Sequence, residues 1–210
     1  MKYREILLNQ LESQPYFKKR AIYQLSEQYG LKSTTVDTYI SRSLKRKEIV
    51  SLKKGLYVSA DFYNKNKDDS YSFYLANILR TPSYVSSWTA LQYYNLTTEA
   101  IYTIMSITPK VTRAYKTRIG NFSYQSIQKE LFADFSLAMG KFNFFIASPA
   151  KALFDLLYFK THRFRGMKLE EIKPLVGELR IDIDEMSQEE QEKFYTTIKY
   201  FLQGTKKHKL

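Results

Sequence analysis

The segment from residue 19 to residue 58 constrains the fold of this chain more than any other part. An amphipathic stretch, residues 19–31, breaks at Gly30, and a second stretch begins at Ser33. A short run with two apolar-rich halves, residues 49–58, follows them. Two helices around a glycine turn and then a small hairpin are typical of a helix-turn-helix with a wing. The pattern therefore predicts a winged helix-turn-helix near the N-terminus.

The second predicted helix has a clear apolar face. Val36, Ile40 and Leu44 recur at the i, i+4, i+8 spacing of one side of a helix. Thr34 stands where an N-cap is expected, and Asp37 follows three residues later, as in a capping box. We therefore expect this helix to start at Thr34 and to pack through its apolar stripe.

The other side of this helix, which we expect to end near Lys47, carries hydroxyls and then cations. Such a helix can lie in the DNA major groove with its N-terminal residues facing base edges. Arg42 stands where a bidentate contact to guanine is possible, whereas lysines give phosphate contacts that position without specifying a sequence. An ordinary solvated helix face is the alternative. The predicted DNA-contacting residues of this helix are Ser33, Thr34, Thr35, Thr38, Tyr39, Arg42, Lys45 and Arg46.

More cations flank the two helices. Lys53 and Lys54 occupy the predicted wing tip and could reach the minor groove or flanking phosphates, although Lys-Gly turns also occur in plain hairpins. Lys18, Lys19 and Arg20 open the first helix of the pair, where positive charge opposes the helix dipole. A bound phosphate or solvent alone could offset that opposition. We include all five residues in the predicted DNA interface.

The charge of the chain is concentrated in this region. Residues 1–60 hold 12 Lys and Arg against 5 Asp and Glu, a balance of +7, whereas the formal net charge of all 210 residues is +12. A polyanionic partner is therefore expected, and double-stranded DNA is the leading candidate. Many basic proteins bind no polyanion, so composition alone leaves the alternative open.

Composition also excludes several kinds of site. The chain has no Cys and only two His, at positions 162 and 208, so disulfides, cysteine nucleophiles and histidine-rich metal sites are excluded. We predict no catalytic residue, no metal and no cofactor. The N-terminus lacks the apolar region of a signal peptide, and no apolar run approaches the roughly 20 residues of a membrane span. A cytoplasmic protein without membrane association is expected.

The chain is predicted to contain two domains of an α+β protein. Residues 1–63 form the winged helix-turn-helix, the polar residues 64–70 read as a linker, and residues 71–210 form a larger mixed α/β domain. The elements expected in the second domain are helices near residues 71–80, 87–94, 149–159 and 187–202, strands near residues 101–108, 115–124 and 141–147, and a frayed basic tail, residues 206–210.

Three groups in the second domain imitate functional sites. Asp182 and Asp184 resemble a magnesium-binding carboxylate pair, but no glycine-rich phosphate turn precedes them, so a structural role is favoured. Lys151 and Asp155, four residues apart, fit an intrahelical ion pair better than a catalytic dyad. The aromatic residues Trp88, Tyr93 and Tyr94 could stack on a ligand, although aromatic core packing is favoured.

Three motifs in order resemble the AbiEi-type antitoxins of bacterial type IV toxin–antitoxin systems. They are Lys-Gly-Leu-Tyr-Val at residues 54–58, Tyr-Val-Ser-Ser-Trp-Thr-Ala-Leu at 84–91 with Tyr-Asn-Leu at 94–96, and Ala-Ser-Pro-Ala-Lys-Ala-Leu-Phe-Asp at 147–155. The resemblance covers most of the chain. The family usually has Gly where this chain has Asn95, and Glu where it has Ala150.

The resemblance implies a repressor of its own operon that binds inverted repeats in the promoter through its N-terminal domain. It also implies an antitoxin that neutralises a nucleotidyltransferase-like toxin without forming a stable complex, with the C-terminal domain needed for that activity. A ligand-responsive regulator, or an enzyme with an appended DNA-binding domain, is the alternative. A ligand pocket with convergent polar groups would favour the alternative.

Overall fold

The computed structural model describes the backbone of residues 2–207 and the side chains of residues 5–7 and 9–203. This part of the chain has mixed α and β structure with two sheets, and it divides into two compact units. The first unit comprises the residues up to Ser72 together with Tyr115–Asn121, and the second comprises the rest. The mixed class agrees with the α+β prediction.

The first unit is built from helices around a small sheet. The sheet has the order β1-β3-β2, and both of its pairings are antiparallel. Five residues separate the end of α2 from the start of α3, and Gly30 in that turn has a φ of +63° that favours glycine. The elements are α1 Lys2–Glu12, β1 Phe17–Lys18, α2 Lys19–Glu27, α3 Ser33–Lys45, β2 Ile49–Lys53, β3 Leu56–Ser59 and α4 Ala60–Lys65.

An apolar core fixes the helices of this unit. The predicted stripe of α3 is buried at Val36 and Ile40, and Leu44 packs partly buried against the same cluster. Helix α2 contributes Ile22. The remaining buried members of the cluster are Leu11, Phe17, Ile49 and Tyr57. Because one face of α3 serves this core, the opposite face is left to solvent.

The boundaries of α3 differ from the prediction. The helix starts at Ser33 after Lys32, which takes the extended N-cap conformation, so Thr34 lies inside the helix rather than at its cap. Asp37 forms no capping box, because its carboxylate is held by side chains of α2. The helix ends at Lys45, and Lys47 has a positive φ of 62°, which a continuing helix excludes. The predicted start and end were therefore both wrong by one or two residues.

The polar segment predicted as a linker is mostly helical. Residues 64 and 65 end α4, and helix α5, Asp69–Leu79, begins after three intervening residues. Asp68 supports that beginning, because its carboxylate accepts a hydrogen bond of 2.7 Å from the backbone N–H of Tyr71. Tyr71 is fully buried, and its hydroxyl donates to the carbonyl of Pro15 in the same unit. Polar composition here marks a helix start rather than a free connection.

The larger sheet of the chain has six strands in the order β6-β7-β5-β4-β9-β8. Strand β4 pairs antiparallel with β5 and parallel with β9. The elements are β4 Tyr84–Val85, α6 Ser87–Tyr93, β5 Thr103–Thr108, β6 Arg113–Thr117, β7 Gly120–Ser126, β8 Phe135–Ala138, β9 Phe144–Ala147, α7 Pro149–Lys160, α8 Ile172–Glu178 and α9 Gln188–Lys207, with short 3₁₀ helices at Lys129–Leu131, Leu169–Glu171 and Ile183–Glu185.

Helix α7 lies at the centre of the second unit. Ser148 caps it by accepting a hydrogen bond from the N–H of Lys151, and Pro149 occupies its first turn, as the sequence predicts. Nine consecutive residues of this helix, 150–158, are buried, so it is surrounded on all sides. It packs against α6 and α9.

Several elements of the second unit were not predicted. Strand β8 and helix α8 lie in segments without a clear periodic pattern of apolar residues. Helix α9 continues to Lys207, so the predicted frayed tail begins inside a helix, and residues 208–210 lie outside the described part of the chain. None of the described helices is long and apolar enough to cross a membrane.

Candidate nucleic-acid interface

An ion pair joins the two helices of the predicted DNA-binding element. The ammonium of Lys19, in the first turn of α2, lies 2.7 Å from a carboxylate oxygen of Asp37 in α3. The Tyr23 hydroxyl donates a 2.6 Å hydrogen bond to the same oxygen, and the Lys19 ammonium lies 5.1 Å from the centre of the Tyr23 ring. These three side chains fix the start of α2 against the first turns of α3.

The contact shifts the proton affinity of both charged partners. Hydrogen bonds from Lys19 and then from Tyr23 lower the pKa of the Asp37 carboxyl. The same hydrogen bond to Asp37 raises the pKa of Lys19. Both side chains are well exposed to water, so the contribution of the pair to stability is small at ordinary salt. Its main effect on the surface is to cancel one positive charge.

The outward face of α3 carries most of the side chains predicted to contact DNA. Val36, Ile40 and Ser43 are buried on the opposite face. Arg42 and Lys45 are exposed, and neither forms an ion pair with another described residue. The exposed members of the predicted set are Lys18, Arg20, Ser33, Thr34, Thr38, Arg42, Lys45, Arg46 and Lys54, and the half-buried members are Lys19, Thr35, Tyr39 and Lys53.

Two members of the predicted set have other contacts. Tyr39 packs towards Leu7 and Ile49 at the edge of the core, so only part of its ring faces outward. The Thr38 hydroxyl donates a 3.0 Å hydrogen bond to the carbonyl of Thr34 one turn earlier. A hydroxyl bonded in this way can still accept a hydrogen bond from another group.

The hairpin turn lies against the start of α2. The N–H of Lys19 donates a 2.9 Å hydrogen bond to the carbonyl of Gly55, between β2 and β3. Gly55 has a φ of +76°, which favours glycine, and a Cβ at this position would lie 3.8 Å from the Cβ of Lys19. The backbone bond brings the cationic residues 18–20 beside Lys53 and Lys54. Two cationic segments that are distant in sequence therefore adjoin, and their combined field favours an anionic ligand.

Sequence reasoning missed the role of Asp37 on this surface. We expected a cap and found an acidic side chain on the exposed face of α3, held by Lys19 and Tyr23. Lys19 in turn is engaged by Asp37 and is less available to a phosphate than its neighbours Lys18 and Arg20. Three hydroxyl residues stand in succession at the start of α3, and each could serve as an N-cap. The sequence therefore leaves the position of the cap ambiguous.

A separate group of interacting side chains, around Asp155, is buried. Lys151 and Asp155 form the predicted intrahelical ion pair, with 2.7 Å between the ammonium and a carboxylate oxygen. The other carboxylate oxygen accepts hydrogen bonds from the Tyr84 hydroxyl at 3.0 Å and the Ser86 hydroxyl at 2.7 Å. The Lys151 ammonium also donates to the carbonyl of Leu131 at 2.7 Å. The network ties α7 to strand β4 and to the residue that follows it.

Burial controls the electrostatics of this network. Burial raises the pKa of Asp155, while Lys151 and the two hydroxyl donors act in the opposite direction. Burial and the nearby Asp155 carboxylate raise the pKa of the Tyr84 hydroxyl. Lys151 and Asp155 are 5% and 0% exposed, respectively, so a substrate has no access to them in this conformation. A structural role fits this geometry.

The remaining sequence candidates are dispersed. Asp182 and Asp184 are exposed, and no group of three or more His, Cys, Asp and Glu side chains among the described residues could hold a metal. Tyr94 is half-buried and donates to the carbonyl of Ala147, while Tyr93 is 45% exposed and contacts the ring of Phe144. Aromatic packing therefore accounts for much of this pair.

No protein-family model matches the chain, and no curated protein matches it in sequence. The resemblance to the AbiEi-type antitoxins therefore remains a prediction from the three motifs.

Proposed function

We propose that the first unit is a winged helix-turn-helix that binds double-stranded DNA. The observation that carries the proposal is the hydrogen bond between Lys19 and Gly55, because it joins the cationic start of α2 to the cationic turn of the β2–β3 hairpin. The exposed face of α3, with Arg42 and Lys45, belongs to the same compact unit. An elongated cationic surface of this kind suits a phosphate backbone.

In this proposal α3 lies in the major groove. The threonine hydroxyls of its first turns approach base edges or phosphates, and Arg42 reads one guanine through two hydrogen bonds. Lys45 and Arg46, further along the helix, contact phosphates and set the orientation. The β2–β3 hairpin acts as the wing, with Lys53 and Lys54 on flanking phosphates or in the minor groove.

We further propose that the protein represses its own operon and acts as an antitoxin. The support is the order of the three motifs that resemble AbiEi-type antitoxins. The DNA site would consist of inverted repeats in the promoter. The toxin, a nucleotidyltransferase-like protein, would be neutralised without forming a stable complex with this chain. Residues 71–210 would carry the antitoxic activity, without catalytic turnover. The alternative is a ligand-responsive regulator, or an enzyme, with the same DNA-binding unit.

A salt series on the full chain tests the DNA-binding proposal. Fluorescence anisotropy with a labelled duplex from the upstream region of its own gene gives the affinity at each salt concentration. Neutralisation of about six phosphates should lower the affinity roughly a thousandfold between about 50 and 200 mM salt. The double variant Lys18→Gln/Arg20→Gln should make the slope shallower by about two, whereas Lys160→Gln/Lys168→Gln in the second unit serves as a charge-matched control. A DNA affinity that does not change with salt concentration contradicts the proposal.

A growth assay tests the antitoxin proposal separately. The full chain is expressed with the product of the adjacent downstream gene, and survival is compared with that of cells lacking the chain. Asp182→Asn with Asp184→Asn should protect cells as well as the wild-type chain does, because no phosphate-binding turn precedes these carboxylates. Loss of protection at normal abundance and folding would favour the enzymatic alternative.

A further inference from the structure

The second unit contains an apolar cavity that the proposed DNA-binding function does not use. It lies between helix α5 and the β8–β9 end of the large sheet and has a volume of about 340 Å³. Small-molecule sites in proteins are typically concave, apolar and at least about this large, with a few polar groups that orient the ligand. The main lining side chains are Tyr74, Ile78, Ser83, Phe132, Phe135 and Phe145.

The aromatic wall of the cavity is held in place by ring contacts. Phe135 packs against Phe132 and Phe145, with ring centroids 5.0 and 5.8 Å apart. Its ring also stacks on the buried Tyr84 at 4.5 Å, with 17° between the ring planes. A wall whose rings support one another offers a pre-formed apolar surface, which lowers the entropy lost when a ligand binds.

Hydrogen bonds hold the opposite wall to the sheet. The Asn77 side chain accepts a 2.6 Å hydrogen bond from the N–H of Phe145 and donates one of 3.3 Å to the carbonyl of Ser83. The Thr81 hydroxyl donates to the carbonyl of Asn77 at 2.8 Å, and Asn143 accepts from the N–H of Gly140 at 3.0 Å. Most of the polar groups around the cavity are therefore already used by the protein.

Ser83 is the exception. It is 5% exposed, and its hydroxyl oxygen is buried without a hydrogen-bond partner among the described residues. Buried hydroxyls normally have a partner, since an unpaired one costs free energy. Ser83 lines the cavity, and rotation about its Cα–Cβ bond would turn this hydroxyl towards a bound ligand that carries an acceptor or donor.

We propose that this cavity binds a small, mostly apolar molecule that contains a ring and one hydrogen-bonding group, and that Ser83 recognises that group. The site goes beyond the proposed DNA-binding function and does not depend on it. Four aromatic rings and the aliphatic side chain of Ile78 line the cavity, and together they favour flat apolar ligands. The single unpaired hydroxyl selects one polar substituent.

Two probes test the site on the full chain, p-cresol and toluene, which differ by one hydroxyl. Both should shift the methyl NMR signal of Ile78 saturably, with a dissociation constant of about 1 mM or tighter. Ser83→Ala should weaken p-cresol about two- to tenfold and leave toluene unchanged, as expected for the loss of one hydrogen bond. The methyl signals of Ile101 and Ile198, outside the cavity, should not move.

A cavity-filling variant gives the complementary test. Ile78→Trp should abolish binding of both probes, whereas Ile101→Trp, a half-buried isoleucine in another part of the same unit, should leave both affinities unchanged. The proposal is overturned if neither probe saturates the Ile78 signal of the wild-type chain, if Ser83→Ala affects both probes alike, or if a folded Ile78→Trp variant binds them normally. None of these measurements involves DNA, so a failed cavity and a failed DNA-binding proposal are distinguishable.

Discussion

Lys19 and Asp37 stand 2.7 Å apart across the two helices of the first unit, and Tyr23 donates to the same carboxylate oxygen. The pair places an acidic side chain on the outward face of α3 and neutralises it with a cation from α2. The surface proposed to contact DNA is thus less positive around Asp37 than the number of its lysines and arginines implies.

Removing that acidic charge should strengthen DNA binding. Asp37→Asn deletes a carboxylate that repels phosphates and releases Lys19, so the salt dependence of binding should steepen by about one phosphate contact. The measurement is anisotropy with cognate and random duplexes over several salt concentrations. Asp61→Asn is the matched control, because Asp61 forms a comparable 2.6 Å pair with Lys65 in α4. Unchanged affinity in Asp37→Asn would place Asp37 outside the interface.

The same pair predicts a pH dependence of stability. The folded-state pKa of Asp37 is depressed by its hydrogen bonds, so its contribution is present above the unfolded pKa of about 3.9 and is lost as the pH falls through the folded pKa. Wild-type and Asp37→Asn proteins should therefore differ most near neutral pH and converge in acid. Urea unfolding of both proteins between about pH 2.5 and pH 7 measures the difference. A gap that widens in acid would contradict the direction of the shift.

Arg42 and Lys45 should affect binding in different ways. If Arg42 contacts one guanine, Arg42→Ala should cost about 1–3 kcal/mol on cognate DNA and relax the preference at one base position. Lys45→Ala should weaken cognate and random duplexes almost equally, since a phosphate contact carries no sequence information. Binding to a set of single-base operator variants separates the two effects. Wild-type behaviour of both variants would mean that α3 is not the recognition helix.

The buried pair in α7 should be important for stability. Lys151→Met leaves the Asp155 carboxylate without its cation in a fully buried position, so unfolding free energy should fall by about 3–5 kcal/mol near neutral pH. Lys65→Met, which breaks the exposed pair with Asp61, should cost no more than about 1 kcal/mol. Urea denaturation followed by circular dichroism gives both values.

The loss in Lys151→Met should also depend on pH in a defined direction. Burial already raises the pKa of Asp155, and loss of the cation raises it further, so the folded variant holds a proton there more readily than the unfolded chain. Such a group favours the folded state at low pH and loses that contribution as the pH rises. The destabilisation should therefore be smaller near pH 4 than near pH 7. Equal losses at both values would show that Asp155 stays charged in the variant.

The unit proposed to bind DNA should need residues beyond the predicted linker for its stability. Tyr71 is fully buried, and its ring lies 5.5 and 6.2 Å from the rings of Phe62 and Tyr63. A fragment that ends at Ser72 should therefore melt at a higher temperature than one that ends at Tyr63. Thermal unfolding of the two fragments measures this. If both bind the operator and neither protects cells from the toxin, the proposed division of labour holds; protection by a folded N-terminal fragment contradicts it.

Periodicity predicted α2, α3 and the hairpin of the first unit because their apolar spacing is local, whereas α4 was not predicted. It predicted the start of α7 equally well, since Ser148 and Pro149 specify that start by themselves. The start of α3 was missed because Asp37 could serve a cap or a partner in α2, and only the tertiary contact decides between them. The helical structure within residues 64–70 was missed because a polar residue such as Asp68 is suited both to a loop and to the start of a helix.

The elements that escaped prediction depend on distant partners. Strand β8 has no strong pattern of its own and is defined by its antiparallel pairing with β9, in which Phe135 stands opposite Ala147. The proposed interface was predicted by residue type, but its joining of residues 18–20 to the hairpin turn depends on a backbone bond between Lys19 and Gly55. The apolar cavity lined by Ser83 was not predicted, because its walls come from α5, β9 and the segment around Phe132, which are distant from one another in sequence.

Helix α3 has a buried face and an exposed face. Val36, Ile40 and Ser43 are buried, whereas Thr34, Thr38 and Arg42 face water and make few demands on the packing. Substitutions at the outward positions can therefore accumulate after gene duplication without a folding penalty, so related copies could diverge in what they bind while keeping one scaffold. For the same reason, the outward residues of this helix can be randomised in a library to select new binding preferences, provided that Asp37 and Lys19 are changed together.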